Sequence, residues 1–240
     1  MATVKDTMDK AARGCSVTPP TSWITATGLS HMEMKDFLAE TVEELLERID
    51  WPDPITKDTV IAGTGAETYA LPSDFKRLTR DELAVYETTT TRRPGIAVPT
   101  NGAWTHLKQI GSAGGDRFYR TSGDEEDGFE ISFYQFPATG ASITVSYVSR
   151  NWLKQASVEG NEWTDATATL LLPARLVEMG VVWRFRRRKG MPFADRLNEY
   201  EANLARHAND KRGIKRIDMT GDGAMRSPFD IPVPDFIPPS

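Results

Sequence analysis

The sequence predicts an α+β fold: a helical domain built from both chain ends, an inserted antiparallel β domain, and an extended C-terminal tail. Three observations predict it. Apolar residues recur at 3.6-residue spacing near both ends of the chain, and they alternate at period two in its middle. From about Ile217 to Ser240 neither period holds, and hydrophobic residues are spaced by prolines. The expected boundaries are 1–57 for the first helices, 58–150 for the β domain, 151–212 for a helical hairpin completing the helical domain, and 213–240 for the arm.

The elements follow in order. Val4 to Gly14 reads as a short helix closed by glycine, with Val4 and Met8 on one stripe. After Pro19 and Pro20, Ser30-His31-Met32-Glu33 has the form of a capping box, in which serine takes an orphan N–H and glutamate reaches back. Met34, Phe37, Leu38, Thr41, Leu45 and Ile49 then keep helical spacing, Glu40, Glu43, Glu44 and Glu47 fill the wet side, and Pro52 and Pro54 stop the run. Val60 to Pro72 reads as a hairpin turned by Gly63-Thr64-Gly65. Arg77 to Thr88 fits helix or strand, and strand is the reading favoured because the threonines up to Thr91 continue it. Pro99 to Ile110 reads as a short helix with Trp104 and Leu107 inward, capped near Thr100 or Asn101. Phe118–Thr121, Phe129–Phe136 and Ser142–Ser149 read as three strands of an antiparallel meander with one buried face. Leu171 to Lys189 is a helix with Pro173 in its first turn and Gly190 past its end. Pro192 to Lys211 is a second, with Phe193, Leu197, Tyr200, Leu204 and His207 on one stripe.

Composition narrows the function classes. The 240 residues are 39% hydrophobic and 26% charged, ordinary for a globular protein, and no apolar run approaches the ~20 residues that cross a bilayer. No membrane partner is expected. The N-terminus lacks the basic region and apolar core of a signal peptide, so export by that route is not expected. Cys15 is alone and His31, His106 and His207 lie far apart, which argues against a disulfide and a structural zinc site. The net charge of −5 is uneven: residues 1–172 carry −9, residues 173–216 carry +7, and residues 217–240 carry −3. Such asymmetry points to surfaces that meet different partners.

Catalytic patterns are not legible. There is no Ser-His-Asp ordering, no phosphate-cradling GxxxxGK[ST], and no base placed beside Cys15. Asp124-Glu125-Glu126-Asp127 reads as a solvated loop, because a calcium cage needs ligands at alternating positions around a tight glycine turn. Asp218 to Gly223 has such a turn without the later glutamate and reads as a hinge into the tail. The six dispersed tryptophans read as core and interface anchors. No enzyme activity and no cofactor are expected.

Four blocks in order carry a resemblance: Glu67-Thr68-Tyr69-Ala70-Leu71-Pro72-Ser73-Asp74-Phe75, Trp104 in its short helix, Ile143 to Ser149 with Asn151-Trp152, and Val182-Trp183-Arg184-Phe185-Arg186-Arg187-Arg188-Lys189-Gly190. Over about residues 3–212 the chain resembles the head-to-tail adaptor, or connector, proteins of tailed bacteriophages, the group that includes tail tubular protein A. The resemblance implies a helical domain carrying a β domain, a self-assembled ring, usually a dodecamer, beneath the portal protein, and a tail nozzle or tube protein on its other side. It implies a virion component at the head-tail junction, present in the host cytoplasm during assembly, with packaged double-stranded DNA passing through the ring during genome ejection.

Two residue sets then acquire expected roles. The resemblance implies an extended C-terminal arm that reaches the portal, which makes Phe229, Ile231, Val233, Phe236 and Ile237 candidates for binding the portal, or equally the nozzle or a neighbouring adaptor; the prolines lower the cost of ordering such an arm. Arg184, Arg186, Arg187, Arg188 and Lys189 are candidates for intersubunit pairing or for facing DNA, or they form a solvated helix end that complements the macrodipole. An acidic chain suits a channel that must release DNA, because summed phosphate contacts bind tightly. The alternatives are a stopper or nozzle-type neck component and, from another class, a carbohydrate-binding tail-fibre domain. The latter requires carboxylates and aromatics across one groove. A helix-turn-helix regulator is disfavoured because the basic helix lacks a partner of suitable length.

Overall fold

The computed structural model describes residues 2–80, 83–88, 94–110, 117–135 and 137–211. It is mixed α+β, as the sequence predicts. Helix α1 spans Val4–Gly14, α2 Leu29–Arg48, α3 Asn101–Ile110, α4 Ala174–Arg188 and α5 Ala194–Lys211. Thr3 caps α1, its hydroxyl accepting from the Asp6 N–H at 3.0 Å. Helix α4 is the centre of the helical layer and packs against α1, α2 and α5. Their apolar stripes form one core containing Val4, Met8, Met34, Leu45, Val177, Phe185 and Tyr200.

The α2–α4 crossing is close because position 180 is glycine: a Cβ there would fall onto the Thr41 side chain. The end of α4 is fixed by local chemistry. Gly190 has φ 67°, its N–H donates to Arg187 O at 3.2 Å, and the Met191 N–H donates to Arg186 O at 2.9 Å. This is the Schellman arrangement, and it places the expected glycine stop where the sequence puts it.

The start of α2 differs from expectation. The helix begins one residue before Ser30, with Gly28 at its cap and no side-chain cap bond, so Ser30 and Glu33 form no capping box. Tertiary partners claim the local residues: Glu33 pairs with Lys189 at 2.6 Å, and the His31 ring meets Thr18 O at 3.0 Å. Pro173 is the cap of α4 and not part of its first turn.

The strands make three sheets. In the first, β8 (Ser142–Ser149) is flanked by β1 (Thr56–Ala62) on one edge, with β3 (Phe75–Leu78) and β4 (Val85–Glu87) along the other. In the second, the order is β2 (Thr68–Ala70), β7 (Gly128–Tyr134), β6 (Phe118–Asp124) and β5 (Ile96–Ala97), the last pair parallel. Both sheets contribute to a second core, with Ile61, Phe75, Val85, Ile143 and Val145 from one and Tyr119, Ile131 and Phe133 from the other.

This corrects the expected hairpin and meander. β1 does not pair with β2, and β8 does not continue from β7 in one sheet. The Gly63–Gly65 segment instead binds the β7–β8 connection: the Gly63 N–H donates to Ala141 O at 2.7 Å and the Gly65 N–H to Pro137 O at 3.0 Å. Arg77 to Thr88 is two strands, and the threonines at 89–91 lie outside the described residues. A third sheet, β9 (Leu153–Gln155), β10 (Val158–Gly160) and β11 (Thr169–Leu170), was not expected. The N-terminus joins it through a Thr3–Thr169 bridge, so α1 enters the helical core from a fixed edge.

Candidate functional site

The basic block on α4 is sorted by its surroundings. Arg184 has a side chain only 10% exposed; it pairs with Glu44, reaches Glu40 at 3.5 Å, donates to the Thr41 hydroxyl at 3.0 Å, and lies 4.5 Å from the Trp183 ring centroid. Glu44 also accepts from Arg48 at 2.7 Å and from the Tyr200 hydroxyl at 3.1 Å. Burial works to raise the Glu44 carboxyl, but the bonds from Arg184, Arg48 and Tyr200 outweigh it and hold the pKa below the ordinary value. Glu44 is therefore an internal partner, not part of the wet side, whereas Glu40, Glu43 and Glu47 remain exposed.

Arg186 donates to Gly14 O at 2.8 Å, and Lys189 is taken up by Glu33. Arg187 and Arg188 stay exposed. Those contacts bring the ends of α1 and α4 and the start of α2 to one end of the helical layer. Large apolar side chains are exposed at the start of α2, Leu29 at 72% and Met32 at 48%, and just past the end of α4, Met191 at 41%. Arg187 and Arg188 have no ion pair among the described residues, and exposed apolar and cationic groups of this kind are what a partner with apolar and acidic groups would cover.

Sequence reasoning missed the seam between the helical layer and the strands. Arg77 donates to Leu46 O at 2.8 Å, to Ile49 O at 3.1 Å and to Asp50 at 2.6 Å. Arg80 donates to Glu47 O at 2.6 Å and Arg48 O at 3.2 Å. Two arginines from β3 and its end thus satisfy the orphan carbonyls of α2, and Lys76 pairs with Glu43 alongside them. The Lys76-Arg77 and Arg80 cations just after the 67–75 block are the available signal, but nothing local says that a helix end is their target.

Asp74, inside that block, is a hub. It accepts from Lys57 at 2.8 Å, from Tyr147 at 2.9 Å and from Ser149 at 2.8 Å, and Lys57 continues to Glu159 on β10 at 2.6 Å. Burial opposes ionisation of Asp74, yet these donors prevail and its pKa is lowered. Tyr147 is pushed up to about 12 by burial and by the Asp74 carboxylate.

Two depressions flank α2. One, of about 1200 Å³, is a wide polar cleft running from Arg48 and Trp51 to Thr79 and Ser146, with Ala208 of α5 at its margin. The other, of about 320 Å³, lies against Leu38, Val42 and Leu46. Neither gathers catalytic groups of matched geometry. Asp124 spends its carboxylate on the Glu126 and Asp127 N–H groups at 3.0 and 2.8 Å, closing the β6–β7 turn. Among the described residues no group of three or more His, Cys, Asp or Glu is placed to hold a metal, and no helix is long and apolar enough to cross a membrane. Phe229, Ile231, Val233, Phe236 and Ile237 and the 218–223 turn lie outside the described residues.

The family profile described as SU10 adaptor protein matches residues 2–230. The chain belongs to this family. The match spans both cores, the seam and the basic end of α4, and it runs past the 3–212 stretch of the resemblance to include Phe229. No curated protein matches the chain. The adaptor is therefore a structural component of a bacteriophage particle, one that works by joining other proteins of the head and tail.

Proposed function

We propose that this adaptor forms a ring, a dodecamer in the manner of tail tubular protein A, which joins the portal protein to the tail nozzle or tube protein at the head-tail junction and lines the DNA exit channel. It acts by geometry and not by catalysis. The observation that carries the reading is the family match over nearly the whole chain. The helical domain, built from both chain ends around α4, and the strand block inserted in it are proposed as the two rigid parts of each ring segment, held at a fixed angle by Arg77 and Arg80.

In a closed ring each copy presents two different surfaces to its neighbours. Arg187 and Arg188, with Leu29, Met32 and Met191, are the proposed intersubunit face, because Arg184, Arg186 and Lys189 have partners within the subunit. The arm carrying Phe229, Ile231, Val233, Phe236 and Ile237 is proposed to engage the portal.

The test is co-sedimentation with portal, using wild type, R187E/R188E, and a chain ending at Arg216. Wild type is expected to sediment with the portal as a ring, the charge-reversed chain to bind as incomplete assemblies, and the shortened chain to remain in the supernatant. Equal recovery of all three would contradict both assignments.

A further inference from the structure

Helix α2 turns a face of one charge to solvent. Leu29, Met32, Asp36, Glu40, Glu43 and Glu47 recur at helical spacing, opposite the buried Met34, Leu38, Thr41 and Leu45, and all six are exposed. This face is apolar at its start and acidic over the rest of its length. The side chains of Glu40, Glu43 and Glu47 are 51% to 63% exposed, whereas the cations that approach them, Arg184, Lys76 and Arg77, are 15% exposed or less. Those cations lie beneath the carboxylates, so a partner meets the negative groups first. The Asp36 carboxylate has no hydrogen bond or ion pair among the described residues. The helix's own cations are committed elsewhere: Lys35 reaches Ala26 O at 3.3 Å, and Arg48 pairs with Glu44 and Glu201, each at 2.7 Å.

The end of α4 is the chemical complement of that face. Arg187 and Arg188 are exposed, Met191 follows them, and the Arg186 bond to Gly14 O sets the last turn of α1, with exposed Arg13, beside them. Arg13, Arg187 and Arg188 have no ion pair among the described residues, so within one subunit they do not meet the acidic face; the α4 cations that do pair with α2 are Arg184 and Lys189. One chain therefore carries two exposed surfaces of opposite charge, each with apolar side chains at its margin. Neither surface fits a copy of itself, since like charges would then face each other. Each fits the other, and a contact between two different surfaces of one chain is the head-to-tail kind that closes into a ring.

We propose that the basic end of α4 in one copy seats on the acidic face of α2 in the next copy, with Arg13, Arg187 and Arg188 against Asp36, Glu40 and the carboxylates that follow, and Met191 against Leu29 and Met32. This pairing rests on the ring reading and names the surface that each copy's cations meet. Opposite charges at every contact fix the order of the copies and reject a subunit docked the wrong way round.

The test mixes the full-length chain with its portal and counts bound subunits by native mass spectrometry. R187E/R188E makes the end of α4 acidic, and D36K/E40K puts cations on the face of α2, so either variant alone opposes like charges at each contact. Each alone is expected to lower the recovery of complete rings at least about tenfold. In an equal mixture, with one variant isotope-labelled, the acidic end of the first fits the basic face of the second, and the unchanged basic end of the second fits the unchanged acidic face of the first. Rings holding the two variants in equal number are therefore expected at close to the wild-type yield. A second pair, D36K/A39K, keeps the ion pairs of Glu40 and Glu43 in place and is expected to act as D36K/E40K does, with melting curves to confirm that each variant is folded. A mixture that assembles no better than its components, or a single variant that assembles as wild type does, would overturn this pairing and leave the ring standing. Wild type that forms no ring on the portal would overturn both.

Discussion

Arg77 shows how one side chain carries a structural decision. Its guanidinium satisfies two helix-end carbonyls and a carboxylate while its side chain is only 15% exposed. Truncation in Arg77→Ala leaves those acceptors without a donor and is expected to cost about 2–3 kcal/mol, read as a lowered midpoint in urea unfolding. An unchanged midpoint would remove the seam from the account. Asp74 and Glu44 make a pH prediction. Both carboxyls are held below their ordinary values, so the stability they supply is present above about pH 4 and is lost as pH falls through their lower folded-state values. Asp74→Asn should therefore melt below wild type at pH 7, by about 1–3 kcal/mol in stability, with the gap closing in acid. A gap that widens below pH 4 would contradict the linkage. Cys15 is buried beneath Val182, and burial pushes its thiol up to about 11 against the opposing charge of Arg186. A disulfide reagent at pH 8 should modify it at least about tenfold more slowly in the native chain than in urea.

At the scale of elements, Gly180 and Thr41 set the distance between α2 and α4. Gly180→Ala should destabilise the chain by about 1–3 kcal/mol, the cost of overpacking, and a second substitution, Thr41→Ser, should recover part of it by removing the methyl group that stands in the way. No recovery in the double variant would place the strain elsewhere. The same elements show what sequence could disclose. The end of α4 was legible because a Schellman stop is made by a glycine and its immediate neighbours. The span of β8 was legible because eight residues are enough for alternation to declare itself. The start of α2 was not, because Glu33 and His31 are committed to Lys189 and Thr18, which the local pattern does not reveal. Nor was strand pairing: β1 has the same alternation whether it pairs with β2 or with β8, and the choice rests on backbone bonds to the distant Pro137–Ala141 segment. The small sheet escaped notice because strands of two and three residues are too short to show a period. The cations of α4 were visible as a block, but their separation into committed and free groups depends on which helix face meets α2 and α1.

At the scale of the molecule, two cores joined by a capped helix end make a stiff unit suited to repetition. The helical core draws on both chain ends, and the strand core draws on the two larger sheets. Native mass spectrometry of the full-length chain mixed with its portal protein should show the portal carrying a single discrete multiple of the 26.7 kDa subunit. A 26.7 kDa monomer that ignores the portal at every mixing ratio would contradict the adaptor account.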